Sequence, residues 1–441
     1  MTAENPLLDF TDLPRFDLIA PEHVAPAVDA LLAQARQALE KAVAPDLPPT
    51  WHKLATTLDV AIDRLGRAWG VVGHLNAVMD TPALRAAYNA AMPKVVEFFT
   101  ALGSDERLYA KYKAIDPATL NDEQRQALKN TLRGFVLGGA ELQGQARERF
   151  AQLQERMAEL TQKFSENALD ATDSYSYYAS AEELQGVPED VQAAARAAAQ
   201  AEGKDGYKLT LKLPCYLPVM QFAASSALRE RLYRAYSTRA SDQAEGEARR
   251  FDNTALIQEI LAARHEKAAL LGYPNFGAVS LVRKMADSPE QVIHFLRDLA
   301  ARARPWAERD VQDLREFART RLNLNDPQPW DWPYISERLR EERYAFSEQQ
   351  VKQYFTFPKV LAGLFRIVET LFEVQIKPDS APVWHDSVRF FRIEREGRLL
   401  GQFYLDPSAR AGKRGGAWMD DARARWLRPD TGVLQTPVAY L

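Results

Sequence analysis

The stretch ELQGQARERFAQLQERMAELTQKFSENALD, Glu141 to Asp170, decides the class of the fold. Leu142, Phe150, Leu153, Met157, Leu160 and Phe164 recur at steps of three, four or eight. Those spacings share one face of an α-helix, and the opposite face is Glu, Arg and Gln. The pattern predicts a long amphipathic helix, half of a helical hairpin. A coiled coil with a partner is the competing reading, but the apolar repeat is not sustained over enough heptads.

Helical patterns also dominate on either side. Pro21 and Glu22 open an amphipathic stretch through Val24, Val28, Leu31 and Leu32, and VAPDLPPT (43–50) ends it as a loop. Helical periodicity then runs from Trp51 to Leu169. Further on, Pro188-Glu189-Asp190 opens a helix with an Ala-rich body of high helix propensity. GKDG (203–206) is a turn. YKLTLKL alternates Tyr207, Leu209, Leu211 and Leu213 against polar partners, which predicts a half-buried strand. Helix resumes at SSALRERLYRAYSTRASD (225–242). Ser288 suits an N-cap, Pro289 the first helical position, and Gln291 can close a capping box. Pro305 should kink or divide that helix. NLNDPQPWDWP (323–333) is a loop, and two more helical patterns cover Glu337 to Phe372.

The last segment changes character. VRFFRIEREGRLLGQFYLD (388–406) reads as a hairpin turning at Arg395-Glu396-Gly397. A basic, glycine-rich loop follows, PSARAGKRGGAWMDD (407–421). Val438 to Leu441 reads as the start of a buried strand. Termini tend to be exposed and polar, so this end reads as a cut that leaves apolar surface exposed. The fold class is therefore mainly α, with a small β-sheet near the C-terminal end.

Composition narrows the function. In 441 residues, 46% hydrophobic content is ample for a large core, and the length suits two to three domains' worth of chain. A net charge of -4 calls for neither nucleic acid nor an anionic membrane. Cys215 is the single cysteine, so no intrachain disulfide forms and a reducing, cytosolic compartment fits. MTAENPLLDFTDLPRF has no basic-then-apolar signal pattern. No apolar run reaches the roughly 18 residues of a membrane span.

Candidate chemistry is sparse. A catalytic zinc takes three protein ligands and an open position. In HExxH, two histidines four apart share a helix face and the Glu reaches the zinc-bound water. His265-Glu266 opens such a motif, but the fourth position on is Ala269. None of His23, His52, His74, His265, His294 and His385 has a second histidine three or four residues away. His385-Asp386 reads as a turn or a ligand pair. Cys215, among apolar residues and prolines, reads as an inert buried thiol or a nucleophile. FVLGGAELQG and AGKRGGAW lack phosphate-loop and dinucleotide spacing. Arg410, Lys413, Arg414, Arg423, Arg425 and Arg428 read either as an anion or nucleic-acid site or as a loop stitched by ion pairs with Asp406, Asp420 and Asp421.

Four blocks resemble the M3 family of zinc oligopeptidases, the thimet oligopeptidase and neurolysin relatives: LTLKLPCYLPVMQFAASSALRERLYRAYSTRASDQ (209–243), FDNTALIQEILAARHEKAALLGYPNFGAVSLVRKMADSPEQV (251–292), PWDWPYISERLREERYAFSEQQVKQYF (329–355) and VWHDSVRFFRIEREGRLLGQFYLDPSARAGKRGGAWMDD (383–421). The resemblance runs in order from NPLLDF (5–10) to Leu441. It implies a neurolysin-like, elongated helical body with a channel between two lobes. Residues 1–170 would form an N-terminal helical domain, 171–385 a helical lobe with a small β element and a channel wall, and 386–441 the incomplete start of the catalytic-domain sheet. It implies zinc in the complete enzyme, bound by a later HExxH helix and a further glutamate. No catalytic or metal ligand therefore maps onto these residues. Short peptides would be the partners, the chain a monomer, and the sheet's edge strand would run beside bound peptide. Gln402, Tyr404, Gly415, Gly416 and Ala417 are the implied substrate-side residues. The resemblance implies that the chain is the N-terminal portion of a peptidase, inactive alone. The competing reading is a non-catalytic peptide-binding or interaction module.

Overall fold

The computed structural model describes residues 5–441, so Met1–Glu4 lie outside the described residues. The chain is mainly α with a small sheet near its C-terminus. The described residues divide into two units: those up to 162, 259–279 and 367–441 form one, and residues 163–258 and 280–366 the other.

In the first unit, the helices Val24–Val43, Val60–Val78 and Pro82–Gly103 build the core. Val24, Val28, Leu31 and Leu32 are buried, as their spacing predicts, and meet Leu65, Val72, Leu75, Val95 and Phe98. The helix Pro82–Gly103 starts where Thr81 accepts from the Leu84 amide and Pro82 takes the first turn.

The quoted stretch becomes the helix Gly144–Asp173, with Leu142 just before it. Phe150, Leu153 and Leu160 are buried, while Phe164 is exposed. Its polar face is used as well. Arg149 donates to Glu266 at 2.6 and 2.8 Å, and Arg156 to Glu259 at 2.7 Å, so the helix Thr254–Leu270 is its ion-paired neighbour.

The five-stranded sheet belongs to the same unit. Its strands are β3 (Gln375–Asp379), β4 (Arg389–Arg395), β5 (Arg398–Leu405), β6 (Asp420–Arg423) and β9 (Val438–Tyr440), after β1 (Tyr177–Ala179) and β2 (Tyr207–Leu209) of the other unit. The order is β3-β4-β5-β9-β6. β7 (Trp426–Leu427) and β8 (Leu434–Gln435) form a separate ribbon. Arg395 faces Arg398 across the β4–β5 turn, where Glu396 and Gly397 both have positive φ (51° and 75°), the primed-turn geometry that matches strand twist.

The last strand is buried, as its apolar residues predict, but its sides are paired rather than bare. β9 pairs parallel with β5 and antiparallel with β6, and Val438 and Tyr440 are buried. Both its ladders are filled by strands made earlier in the chain, while Leu441 beyond it stays exposed.

In the second unit, β1 and β2 pair antiparallel beside the helices Glu189–Ala201, Leu213–Phe222 and Ser226–Ser237. Between residues 207 and 372 four expectations are corrected. The strand predicted over 207–213 stops at Leu209, and Leu213, exposed, opens a helix instead. Pro214 in that helix's first turn has the φ of a helix start and no N–H for a ladder. Pro305 does not divide the helix Pro289–Arg321. The stretch around it is exposed, so water can satisfy the carbonyl that the proline leaves unbonded. The segment to Phe372 forms three helices, Trp332–Tyr344, Glu348–Lys352 and Phe357–Phe372, rather than two. At Ser288 the cap forms, but the Gln291 side chain accepts from the Asp287 amide, one residue before the expected partner.

Candidate functional site

The best-built polar feature of the first unit is the loop between β5 and β6. Asp406 directly follows β5 and is buried. It accepts from Trp384 Nε1 at 3.0 Å, from Arg410 at 2.8 Å through each oxygen, and pairs with Lys413 at 3.0 Å. Burial by itself would raise its pKa. The hydrogen bonds from Arg410, Lys413 and Trp384 outweigh burial and hold it at about 2.

The same loop closes the C-terminal end of the helix Val60–Val78, whose last carbonyls have no partner within the helix. Arg410 Nη2 donates to Val78 O at 2.9 Å and the Arg414 amide to Ala77 O at 2.8 Å. The Asp80 amide donates to Gly412 O at 3.0 Å. Gly412 has φ 69°, and a Cβ there would come within 2.8 Å of Asp80 O, so only glycine fits this close approach.

The basic run is thus largely structural. Arg410 and Lys413 hold Asp406, Arg414 lies 5.0 Å over the Trp418 ring, and Arg423 donates to Thr436 O. Arg428 pairs with Asp63 and Asp430 at 3.0 Å each. Paired cations favour the stitched-loop reading over the anion site.

The substrate-side residues implied by resemblance separate into two groups. Gly415, Gly416 and Ala417 form the exposed tip of this loop, immediately before edge strand β6. Gly416 has φ 97°, and a Cβ at Gly415 would meet open space. Gln402 is half-buried on β5 and donates to Asp379 at 3.1 Å. Tyr404 is a core residue with no exposed surface, packed against Phe390 at 4.5 Å, Trp384 at 5.2 Å and Phe16 at 5.7 Å between ring centroids. Burial pushes its hydroxyl pKa up. In this arrangement Tyr404 supports the sheet from inside and presents nothing to a ligand.

Sequence reasoning weighed His74 only as a possible metal ligand, not as a core residue. It lies buried on the helix Val60–Val78, one turn from Val71 and Val78, and stacks on Tyr440. Neither ring nitrogen has a hydrogen-bond partner in the structure. Burial lowers its pKa to about 3, against the opposing pull of Asp406, so the ring is neutral. Its place in an apolar helical face was the available signal.

These residues do not fit a catalytic zinc. Among the described residues, no group of three or more His, Cys, Asp or Glu side chains is placed to hold a metal ion. The Glu266 carboxylate is taken by Arg149, and His385 Nδ1 lies 2.9 Å from Ser387 Oγ within a turn. Burial raises the Cys215 pKa, which opposes a nucleophilic thiolate. No helix among the described residues is long and apolar enough to cross a membrane.

Residues 219–441 match the profile of Peptidase family M3, and residues 28–147 match that of the Neurolysin/Thimet oligopeptidase N-terminal domain. The chain belongs to peptidase family M3. It is 44% identical to Oligopeptidase A of Salmonella typhimurium over 99% of its own length, and equally to that of Escherichia coli. It is 38% identical to the Organellar oligopeptidase A, chloroplastic/mitochondrial, of Arabidopsis thaliana over 100% of its length. The chain spans 65% of the two bacterial relatives and 57% of the plant one.

Proposed function

We propose that the protein serves zinc-dependent hydrolysis of short peptides in the cytosol, with these 441 residues supplying scaffold and peptide contact rather than the zinc site. The observation that carries the reading is the 44% identity, over 99% of the chain, to proteins named Oligopeptidase A. Residues 1–170 act as a helical domain, 171–385 as a channel-wall lobe, and 386–441 as part of the catalytic sheet. The zinc and its ligands belong to the part of the family's length that this chain does not match. No zinc-borne step is assigned to the residues present.

The chain's own contribution is at the Asp406-anchored loop. Among the described residues, edge strand β6 pairs on one side only, so an extended peptide can add to the other as a strand. Gly415 and Gly416 carry no side chain, so a peptide backbone can approach closely. Gln402 lies on the same sheet. The single cysteine supports a reducing compartment, and the chain acts as a monomer.

The test uses the purified 441-residue chain with zinc added. Fluorescence anisotropy of a labelled short peptide should report binding, while a quenched version of the same peptide stays uncut. Chelator-sensitive cleavage by this chain alone would overturn the division of labour. Failure to bind would remove the loop assignment.

A further inference from the structure

A cleft within the first unit joins apolar walls to two opposite charges. It lies where the segment 6–19 meets the helix Val60–Val78 and strand β6, and Leu7, Phe10, Ile19, Val71 and Ala422 form its walls. Its volume is about 310 Å³ counted out to its open mouth, the small end of the range for ligand cavities, about 300–1,000 Å³. Arg67, one turn before Val71, and Asp9 supply the charges.

Arg67 is poorly satisfied. A guanidinium has five N–H donors. This one makes a single long hydrogen bond, 3.4 Å to Asp12 O, and lies 5.3 Å from the centre of the Phe10 ring. The one acid of its helix, Asp63, is paired with Arg428, and among the described residues no carboxylate forms an ion pair with Arg67. Burial holds the Arg67 pKa below the usual guanidinium range, Asp63 draws it up, and Arg423 and Arg428 push it down. A half-buried cation so placed gains from an anion brought in from solvent. Asp9 stands exposed at the rim. Its Oδ1 accepts from the Thr11 amide at 3.0 Å and from Thr11 Oγ1 at 2.6 Å, which fixes the carboxylate. The same bonds lower its pKa, so it is ionised at neutral pH.

We infer that this cleft binds a free α-amino acid with a small apolar side chain, its carboxylate on Arg67, its ammonium on Asp9 and its side chain against the apolar walls. The other simple ligands fit less of the site. Phosphate or sulfate has nothing to set against the walls and is repelled by Asp9. A plain aliphatic carboxylate leaves Asp9 unused. A peptide carries its ammonium and carboxylate at least one residue, about 3.5 Å, further apart. The inference does not use the proposed peptidase activity.

Saturation-transfer NMR titration of the 441-residue chain tests it with three probes. They are L-valine, 3-methylbutanoate, which lacks the ammonium, and 2-methylpropylamine, which lacks the carboxylate. Valine is expected to bind at millimolar concentration, and each analogue about ten-fold more weakly. Arg67→Gln should abolish valine binding and leave the circular dichroism unchanged. Asp9→Asn keeps the Oδ1 acceptor for Thr11, so it should remove the advantage of valine over 3-methylbutanoate without disturbing the fold. Because Arg67→Gln can fail to fold, Asp9→Asn and the analogues decide by themselves. No saturation transfer to valine at tens of millimolar would overturn the inference, as would valine binding that neither substitution alters. Displacement of valine by inorganic phosphate would overturn it in favour of a plain anion site. Tighter binding of the dipeptide Val-Val would overturn it in favour of a peptide site.

Discussion

His74 stacks on Tyr440 with ring centroids 3.7 Å apart and planes 14° from parallel, so a histidine of an early helix lies against the last described strand. Trp384 meets the same imidazole edge-on at 4.3 Å. The cluster joins the core of the helices to the sheet. It also predicts how stability varies with pH.

Burial lowers the His74 pKa to about 3 from an ordinary 6.5. Between those values the unfolded chain binds a proton that the folded chain refuses. Stability is therefore complete above about 6.5 and declines as pH falls, by at most about 1.4 kcal/mol per pH unit from this group. His74→Phe should flatten the fall in melting temperature between pH 6.5 and 4. Asp406 contributes in a lower window. Its stabilising ionised form is present above 3.8 and lost as pH falls through about 2. An unchanged slope in His74→Phe, measured by thermal melts across pH, would contradict the assignment.

Asp406→Ala should cost about 3 kcal/mol or more, because it leaves the part-buried Arg410 and Lys413 without their shared counter-charge. Urea denaturation measures the loss. Limited trypsin digestion should at the same time cut first within residues 407–419, since the cations that pin this loop are themselves cleavage sites.

In the second unit, Arg229 and Asp331 form a 2.6 Å ion pair with both side chains 2% exposed. Asp331 also accepts from Ser226 Oγ and the Gln328 amide, and Arg229 donates to Ala223 O. Truncating either partner leaves a buried charge. Asp331→Ala is expected to destabilise by about 3–5 kcal/mol, read from the denaturation midpoint. Reversing only an exposed pair, Arg156→Glu, should cost about 1 kcal/mol or less in the same assay.

Gly416 and Gly415 separate conformation from contact. Gly416→Ala forces a side chain onto φ 97° and should destabilise by about 1 kcal/mol. Gly415→Ala adds a methyl in open space, so the melting temperature should not move. If the loop tip lies beside peptide, Gly415→Ala weakens peptide binding several-fold in anisotropy. Unaltered binding would remove Gly415 from the contact.

Much of the fold is local and was legible. The steps between Phe150 and Leu160 are those of a helix face, and the structure buries that face. Glu396-Gly397 between two alternating runs is a hairpin signal, and both residues take the left-handed φ that the turn demands. Leu211 and Leu213 were misread because alternation over a short run competes with a proline at a helix start, and the proline won. Of the residues that the resemblance implies on the substrate side, the loop-tip glycines are exposed. Tyr404 is not, because strand alternation says only that a residue faces one side, not whether that side is core.

What the sequence by itself determined is the helical class, the hairpin, the absence of a second histidine after His265-Glu266, and the blocks that resemble family M3. Each depends on neighbours within a few residues, or on matching such short blocks in order. Only the tertiary structure decided which apolar stripes are covered. Val28 and Leu364 lie on equally periodic faces, yet one is buried and the other exposed. Periodicity makes a face apolar; whether another element packs over it depends on contacts between segments far apart in the chain. The same long-range packing buries β9 between β5 and β6 and brings Tyr440 onto His74.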